Sequence, residues 1–164
     1  MALRKPLVIV DGQIEQLQSG DTLNAAVAEI ETLTQTNGES GALVICTPVY
    51  SSAVDTVKKG QADASGTVEI LGLAVTPSVA GSGTGSVQTS GVLTATTTQW
   101  DAVAATADSQ SGGLTFNTVY YLDSVAAGKI TKTAPTAGGK YVVRLGKAIS
   151  TTEMVIDIKA PILL

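Results

Sequence analysis

The C-terminal third of the chain decides its fold: residues 112–164 read GGLTFNTVYYLDSVAAGKITKTAPTAGGKYVVRLGKAIS and then TTEMVIDIKAPILL. Short runs of β-branched and aromatic residues are separated here by Gly, Asp and Pro, which favour turns. Within the run YVVRL, Val142 and Arg144 alternate with Val143 and Leu145, so the two pairs fall on opposite faces of a strand. The pattern predicts a set of short strands with a structural role and no catalytic residues.

The middle of the chain continues the same pattern. Short apolar or alternating segments are separated by Pro and Gly, and turn signals at such close spacing favour a mainly β fold. One helical turn is predicted over residues 99–104, with Thr97 or Thr98 as its cap. We therefore expect a compact β-barrel or β-sandwich with an extended N-terminal arm and at most short helices. The predicted strands are residues 43–46, 49–51, 68–76, 85–89 and 92–96.

The N-terminal arm is predicted from a hairpin pattern. Residues 6–10 form an apolar extended run, Asp11-Gly12 is a two-residue turn signal, and residues 13–17 alternate between polar and apolar. Such an arm either attaches the protein to a partner or is simply the first hairpin of the fold. The candidate assembly contacts are Arg4, Lys5, Pro6, Leu7, Ile9, Ile14 and Leu17.

A linker follows the arm. Residues 21–33 place several apolar side chains on one helical face and permit a short helix, which is too short for a coiled-coil stalk. Residues 35–41 are rich in turn-forming residues and predict an exposed loop. The predicted division is an arm and linker over residues 1–34 and a β-rich domain over residues 35–164.

Side chains that usually perform catalysis are scarce. The chain has no His and one Cys, and charged residues make up 15% of it. Without an imidazole there is no Ser-His-Asp or Cys-His arrangement and no HExxH zinc motif. The carboxylates are scattered near turns, so their spacing identifies no glycosidase pair. We predict that the protein is not an enzyme and has no catalytic, cofactor-binding or metal-binding residue.

Several features that could suggest a site have simpler structural explanations. Cys46 ends an apolar run and is expected to be a small buried hydrophobe. Trp100 is interpreted as a core or interface anchor, since a carbohydrate-binding protein usually presents several aromatic side chains. The Gly-rich residues 81–85 and 138–140 lack the features of a phosphate-binding loop, and we interpret both as hairpin turns.

The charge pattern argues against a nucleic-acid partner. The net charge is −4 and the ten Lys and Arg residues are dispersed, whereas neutralising phosphates requires a basic patch. No run approaches the roughly 18 apolar residues of a membrane helix. The first residues do not read as a signal peptide, so synthesis in a cytoplasm is expected. We predict no nucleic acid, no membrane and no small-molecule substrate as a partner.

Short motifs in both terminal regions carry a family resemblance. Residues 4–23 contribute the order RKPLVIVDGQIEQLxxGDTL. The C-terminal third contributes Leu114-Thr115, Tyr120-Tyr121-Leu122, Gly128, Ile130-Thr131, Thr133-Ala134-Pro135-Thr136, Gly138, Leu145-Gly146, Ala148-Ile149-Ser150 and Pro161-Ile162-Leu163-Leu164. The C-terminal set resembles a module of tailed-phage virion structural proteins, namely capsid decoration (cement) proteins and head-fibre-like appendages. Residues 4–23 look like the N-terminal segment of many phage tail-fibre and virion proteins.

The resemblance implies a function in assembly. It implies a capsid decoration protein that binds and stabilises the lattice of the major capsid protein, on the capsid surface of a virion assembled in the bacterial host cytoplasm. Together with the apolar, aromatic-poor composition, it also implies self-association as a homotrimer, and in such proteins the N-terminal segment often serves attachment. A tail-fibre or head-fibre adaptor and a host-surface carbohydrate-binding protein are the alternatives.

Overall fold

The computed structural model describes residues 31–164 and, before them, the backbone of two four-residue strands, β1 (Leu7–Val10) and β2 (Gln13–Gln16). The two strands pair antiparallel, with Leu7 opposite Gln16 and Ile9 opposite Ile14. This pairing agrees with the hairpin predicted for the arm.

The described part of the chain is mainly β, as predicted. The helical elements are α1 (Thr97–Val103) and a single 3-10 turn at Thr106–Asp108. The strands that follow β1 and β2 are β3 (Thr32–Asn37), β4 (Leu43–Val44), β5 (Pro48–Ala53), β6 (Thr56–Lys59), β7 (Ile70–Ala74), β8 (Ser78–Val79), β9 (Thr84–Gln88), β10 (Gly91–Thr94), β11 (Val119–Leu122), β12 (Ile130–Thr131), β13 (Tyr141–Val142), β14 (Arg144–Ala148), β15 (Glu153–Ile156) and β16 (Ile162–Leu163).

Five strands close into a barrel in the order β3-β6-β5-β7-β9, and β9 pairs back onto β3. β3 runs antiparallel to β9, with Thr32 opposite Gln88, and parallel to β6, with Thr36 opposite Thr56. Closure removes the exposed edges that an open sheet of five short strands would have. A small apolar cluster packs with the barrel strands and with the short β4–β8 pair; its buried members are Leu43, Val49, Val57, Val79 and Val87.

A five-stranded sheet in the order β10-β15-β14-β11-β12 forms the second half of the fold. Its inward side chains and α1 build the larger hydrophobic cluster, in which Trp100, Tyr120 and Met154 are fully buried. The cluster also contains Leu73 of β7 and Cys46, which lies between β4 and β5. The larger cluster therefore joins the barrel to the sheet, while the smaller cluster stays within the barrel half.

Helix α1 has a capping box one residue before the predicted cap. The Thr96 hydroxyl accepts a hydrogen bond from the Gln99 amide N–H (3.2 Å), and the Gln99 side-chain oxygen accepts one from the Thr96 amide N–H (2.8 Å). These bonds satisfy two donors that a helix start leaves unpaired. The predicted caps, Thr97 and Thr98, are instead the first residues of the helix.

The predicted loop over residues 35–41 is wrong in its first half. Gln35, Thr36 and Asn37 complete β3, whose β-branched residues suit a pleated strand and whose two edges are filled by β9 and β6. The same strand takes in Thr32 and Leu33, so the end of the helix permitted over residues 21–33 is wrong. The rest of that segment lies outside the described residues.

The two Gly-rich segments are turns, but neither closes a hairpin. Residues 81–83 connect β8 to β9, and these strands have different partners: β8 pairs with β4, and β9 with β3 and β7. Residues 138–140 lead into β13, which pairs with β16 more than fifteen residues later. Which strands these turns connect depends on pairing with distant parts of the chain, and a local turn signal does not show that pairing.

Candidate binding surface

The described residues contain no group of three or more His, Cys, Asp or Glu side chains that could hold a metal ion. A surface pocket of about 90 Å³ is lined by Ala105, Thr106, Ala107, Asp123, Val125 and Ala126. Its carboxylate, Asp123, accepts a hydrogen bond from the Ala126 amide N–H at 2.9 Å. The Asp123 side chain therefore helps to order its own loop.

Two further carboxylates hold loops in the same way. Asp101 accepts hydrogen bonds from the amide N–H groups of Gly112 and Gly113, both at 2.9 Å. Asp108 accepts one from the Lys132 amide N–H at 2.7 Å and one from the Thr131 hydroxyl at 3.1 Å. Aspartates that bind backbone amides in this way order turns. The arrangement of these side chains fits a structural role.

Cys46 is a buried hydrophobe, as predicted. Its side chain is completely shielded from solvent, and burial raises the pKa of the thiol far above its usual value. A protonated, buried thiol is a poor nucleophile.

No helix among the described residues is long and apolar enough to cross a membrane.

Within residues 31–164, three consecutive exposed aliphatic residues occur in and just after the strand β16. Ile162 is 62% exposed and Leu163 is 60% exposed, and the following Leu164 is also exposed. The strand is held by β13, with Tyr141 opposite Leu163. At its end the Leu164 amide N–H donates to the Lys140 carbonyl (3.0 Å), and the Leu164 carbonyl accepts from Gly139 (3.0 Å).

The second edge of β16 makes no strand pairing. Within residues 31–164, β13 is the one strand that pairs with it. An edge of this kind presents unpaired backbone N–H and C=O groups, and natural proteins usually protect it with charges or cover it. Here the side chains of Ile162, Leu163 and Leu164 carry no charge. We call these three residues the β16 edge; it is a surface to which an extended segment of another chain can add.

A group of charged residues precedes β16 in the chain. Asp157 contacts Arg144 at 3.1 Å and Lys159 at 2.5 Å, and the backbone of Lys159 donates to the Arg144 carbonyl. The hydrogen bond from Lys159, with the positive charges of Lys159 and Arg144, holds the pKa of Asp157 below its usual value against a smaller opposing effect of desolvation. Lys159 is three residues before Ile162, so these charged residues immediately precede β16 in the chain.

A second apolar pair lies on another loop. The segment 114–118 runs antiparallel to residues 148–151, since the amide N–H of Asn117 donates to the Ala148 carbonyl and that of Ala148 donates to the Thr118 carbonyl. This register places Phe116, which is 70% exposed, across from Ile149, which is also exposed. The pair is smaller than the β16 edge and has no unpaired strand beside it.

The candidate contacts predicted from the sequence lie at the other end of the chain. Leu7 and Ile9 fall in β1 and Ile14 falls in β2, where the backbone alone is described. Arg4, Lys5, Pro6 and Leu17 lie outside the described residues. The arm contacts thus stay predictions.

Sequence reasoning missed the β16 edge as a binding surface. Pro161-Ile162-Leu163-Leu164 entered the sequence analysis only as part of the family resemblance, and a run of three aliphatic residues is equally typical of a buried strand. Its exposure depends on how many strands pair with it, which a local pattern does not show.

Comparison with protein-family models finds no match to this chain, and a comparison with curated proteins finds none either. The fold, the β16 edge and the motif resemblance described above are the grounds for proposing a function.

Proposed function

We propose that this chain is a virion structural protein of a tailed phage that decorates the capsid and stabilises the lattice of the major capsid protein. The observation that carries the proposal is the β16 edge, a strand with exposed aliphatic side chains on a well-packed β scaffold. The motif resemblance of residues 4–23 and of the C-terminal third supports the choice of partner. Capsid surface is the proposed location, and the host cytoplasm the place of assembly.

The proposed mechanism is binding without turnover. An extended segment of a capsid subunit adds to the free edge of β16 through backbone hydrogen bonds, while the side chains of Ile162, Leu163 and Leu164 supply apolar contact. Burial of apolar surface contributes about 25 cal/mol per Å² before the costs of association are subtracted. A protein that binds the assembled lattice and not the free subunits shifts the equilibrium toward the lattice by mass action.

Two observations support a binding protein over a catalyst. Asp101, Asp108 and Asp123 each accept hydrogen bonds from backbone amides of neighbouring loops, the arrangement by which aspartates order turns. Cys46 is buried with a raised thiol pKa. The proposal accordingly assigns the chain no catalytic residue, cofactor or metal. It keeps the homotrimer as its oligomeric state, on the resemblance and the apolar, aromatic-poor composition.

Leu163→Lys is expected to weaken binding to capsids by about tenfold or more, because losing a central apolar anchor and burying a charge costs roughly 1.4 kcal/mol or more, which is a factor of ten in affinity. Co-sedimentation of the purified chain with capsids that lack it measures the effect. Val54→Lys is the matched control, since Val54 is 89% exposed at the tip between β5 and β6 and outside the β16 edge. Both variants should melt like the unmodified chain, because substitutions at exposed sites change stability by less than about 0.5 kcal/mol.

The opposite ranking would contradict the assignment of the β16 edge. If Leu163→Lys binds capsids like the unmodified chain, the contact lies elsewhere. Removal of residues 1–20 in the same assay then tests the predicted arm contacts. If the unmodified chain does not bind capsids at all, the capsid itself is the wrong partner.

A further inference from the structure

Asn37 is a buried polar side chain whose amide is fully engaged. It ends β3, is 1% exposed, and donates from Nδ2 to the carbonyl oxygens of Gly41 (2.9 Å), Val79 (2.9 Å) and Ala80 (3.2 Å). Its Oδ1 accepts a hydrogen bond from the Glu39 amide N–H (2.9 Å). Three carbonyl acceptors around one nitrogen fix the orientation of the amide, because only the NH₂ group can donate to them.

Asn37 is followed by Gly38, and an Asn-Gly pair is chemically labile. The backbone nitrogen of the glycine attacks Cγ of the asparagine, and a C–N bond forms as the Cγ–Nδ2 bond breaks. The nitrogen's proton leaves with Nδ2 as ammonia, and a five-membered succinimide remains. Water then opens the ring at either carbonyl and gives aspartate or isoaspartate. Glycine permits the attack because it has no side chain to hinder it and a freely rotating backbone.

The native fold blocks both partners of this reaction. The Gly38 amide N–H donates to the Val57 carbonyl of β6 at 2.8 Å, so its nitrogen is engaged and cannot turn toward Cγ. The Asn37 backbone is fixed on both sides, since its N–H donates to the Gly83 carbonyl (2.8 Å) and its carbonyl accepts from Ser82 (2.9 Å). The reaction therefore requires the barrel to open around the end of β3.

We propose that Asn37-Gly38 is a deamidation site that the native fold holds closed and that unfolding opens. A chain that has spent time unfolded is then marked irreversibly, and the mark prevents its return to the folded population.

The product does not fit the native site. An aspartate at position 37 places a carboxylate oxygen where Nδ2 now lies, against the carbonyl oxygens of Gly41, Val79 and Ala80, with no donor to replace the three lost hydrogen bonds. A buried charge surrounded by acceptors is strongly unfavourable. An isoaspartate adds one carbon to the main chain at the point where Asn37 pairs with Val57, which breaks the register that closes the barrel.

The direct test compares native and denatured samples of the unmodified chain in the same mildly alkaline buffer. Peptide mass spectrometry follows the mass gain that accompanies replacement of the side-chain NH₂ by OH. We expect Asn37 to convert in the denatured sample. In the native sample its conversion rate should be lower by about a hundredfold or more, since conversion there needs local opening. Asn117, which is exposed and followed by Thr118, is the internal control and should convert slowly in both.

Refolding supplies the second measurement. The denatured sample is returned to native buffer, the folded fraction is separated, and the modified fraction at position 37 is measured in folded and misfolded material. Modified chains are expected in the misfolded material alone. Equal conversion of Asn37 in native and denatured samples, or modified chains that refold as well as unmodified ones, would overturn the proposal.

The Asn37→Asp substitution introduces the aspartate product directly, without the deamidation reaction. Asn37→Asp is expected to lose soluble expression or to melt at a much lower temperature. Asn117→Asp should melt like the unmodified chain, because Asn117 is exposed with a positive φ (62°) that aspartate also tolerates. An Asn37→Asp variant with an unchanged melting temperature would show that the site accepts the product.

Discussion

Ile156→Asp is expected to prevent soluble folding. Ile156 is buried in β15, where it lies opposite Gly91 of β10 and Gly146 of β14, and it belongs to the larger hydrophobic cluster. An aspartate there would bury a carboxylate among apolar side chains, which is among the most destabilising single changes known. Soluble yield, and thermal melting of any soluble fraction, measure the result.

Lys147→Ala is the control for this prediction. Lys147 lies on the neighbouring strand β14, partly exposed, opposite Val119 and Val155. Its removal should change the free energy of unfolding by less than about 0.5 kcal/mol. Ile158, which packs against the cluster from outside β15, should tolerate aspartate better than Ile156 does. A soluble Ile156→Asp variant with the melting temperature of the unmodified chain would show that this face of β15 is not core.

Trp100→Ala is expected to cost about 3–5 kcal/mol of unfolding free energy. The indole is fully buried in the larger cluster, and its Nε1–H donates to the Thr152 carbonyl at 3.0 Å. The variant leaves a large cavity and removes that donor. Since a domain of this size is stable by about 5–15 kcal/mol, the loss is a large part of the total. Equilibrium urea unfolding measures it.

Phe116→Ala is the matched aromatic control. Phe116 is mostly exposed on the loop before β11, so its truncation should change stability by less than about 0.5 kcal/mol. Similar losses for Trp100→Ala and Phe116→Ala would contradict the division between core and surface.

Local patterns predicted the parts of the fold that depend on neighbouring residues. The alternation in YVVRL placed Val143 and Leu145 on one face, and both are fully buried. The helical turn near Trp100 was predicted from a threonine cap, and the structure moves that cap by one residue to Thr96. The two-residue period of a strand and the hydrogen bonds of a helix cap involve residues that are close in the sequence, so both can be predicted from the sequence alone.

Long-range contacts account for what the sequence did not predict. Asn37 was assigned to a loop, because Asn-Gly is a turn signal, yet it ends a barrel strand where its amide bonds the carbonyl of Val79, 42 residues further along the chain. Strand β6, which ends with Lys58 and Lys59, was not predicted. Pairing partners at such distances are fixed by the closed barrel and not by local propensity.

The candidate site depends on long-range pairing in the same way. The sequence directed attention to the arm, where the motif and the hairpin signal are strong. The β16 edge became a candidate only once β13 was seen to pair with one side of it. Exposure and an unpaired edge are properties of the assembled sheet.

The measurement that tests the central proposal most directly is a cryo-EM map of the intact virion of the phage whose genome encodes this chain. The account predicts density for this fold on the outer capsid surface, as three copies at each site, with the β16 edge against neighbouring major capsid protein subunits. Density for this fold at the tail alone, or no density for it on the virion, would contradict the proposal of a capsid decoration protein.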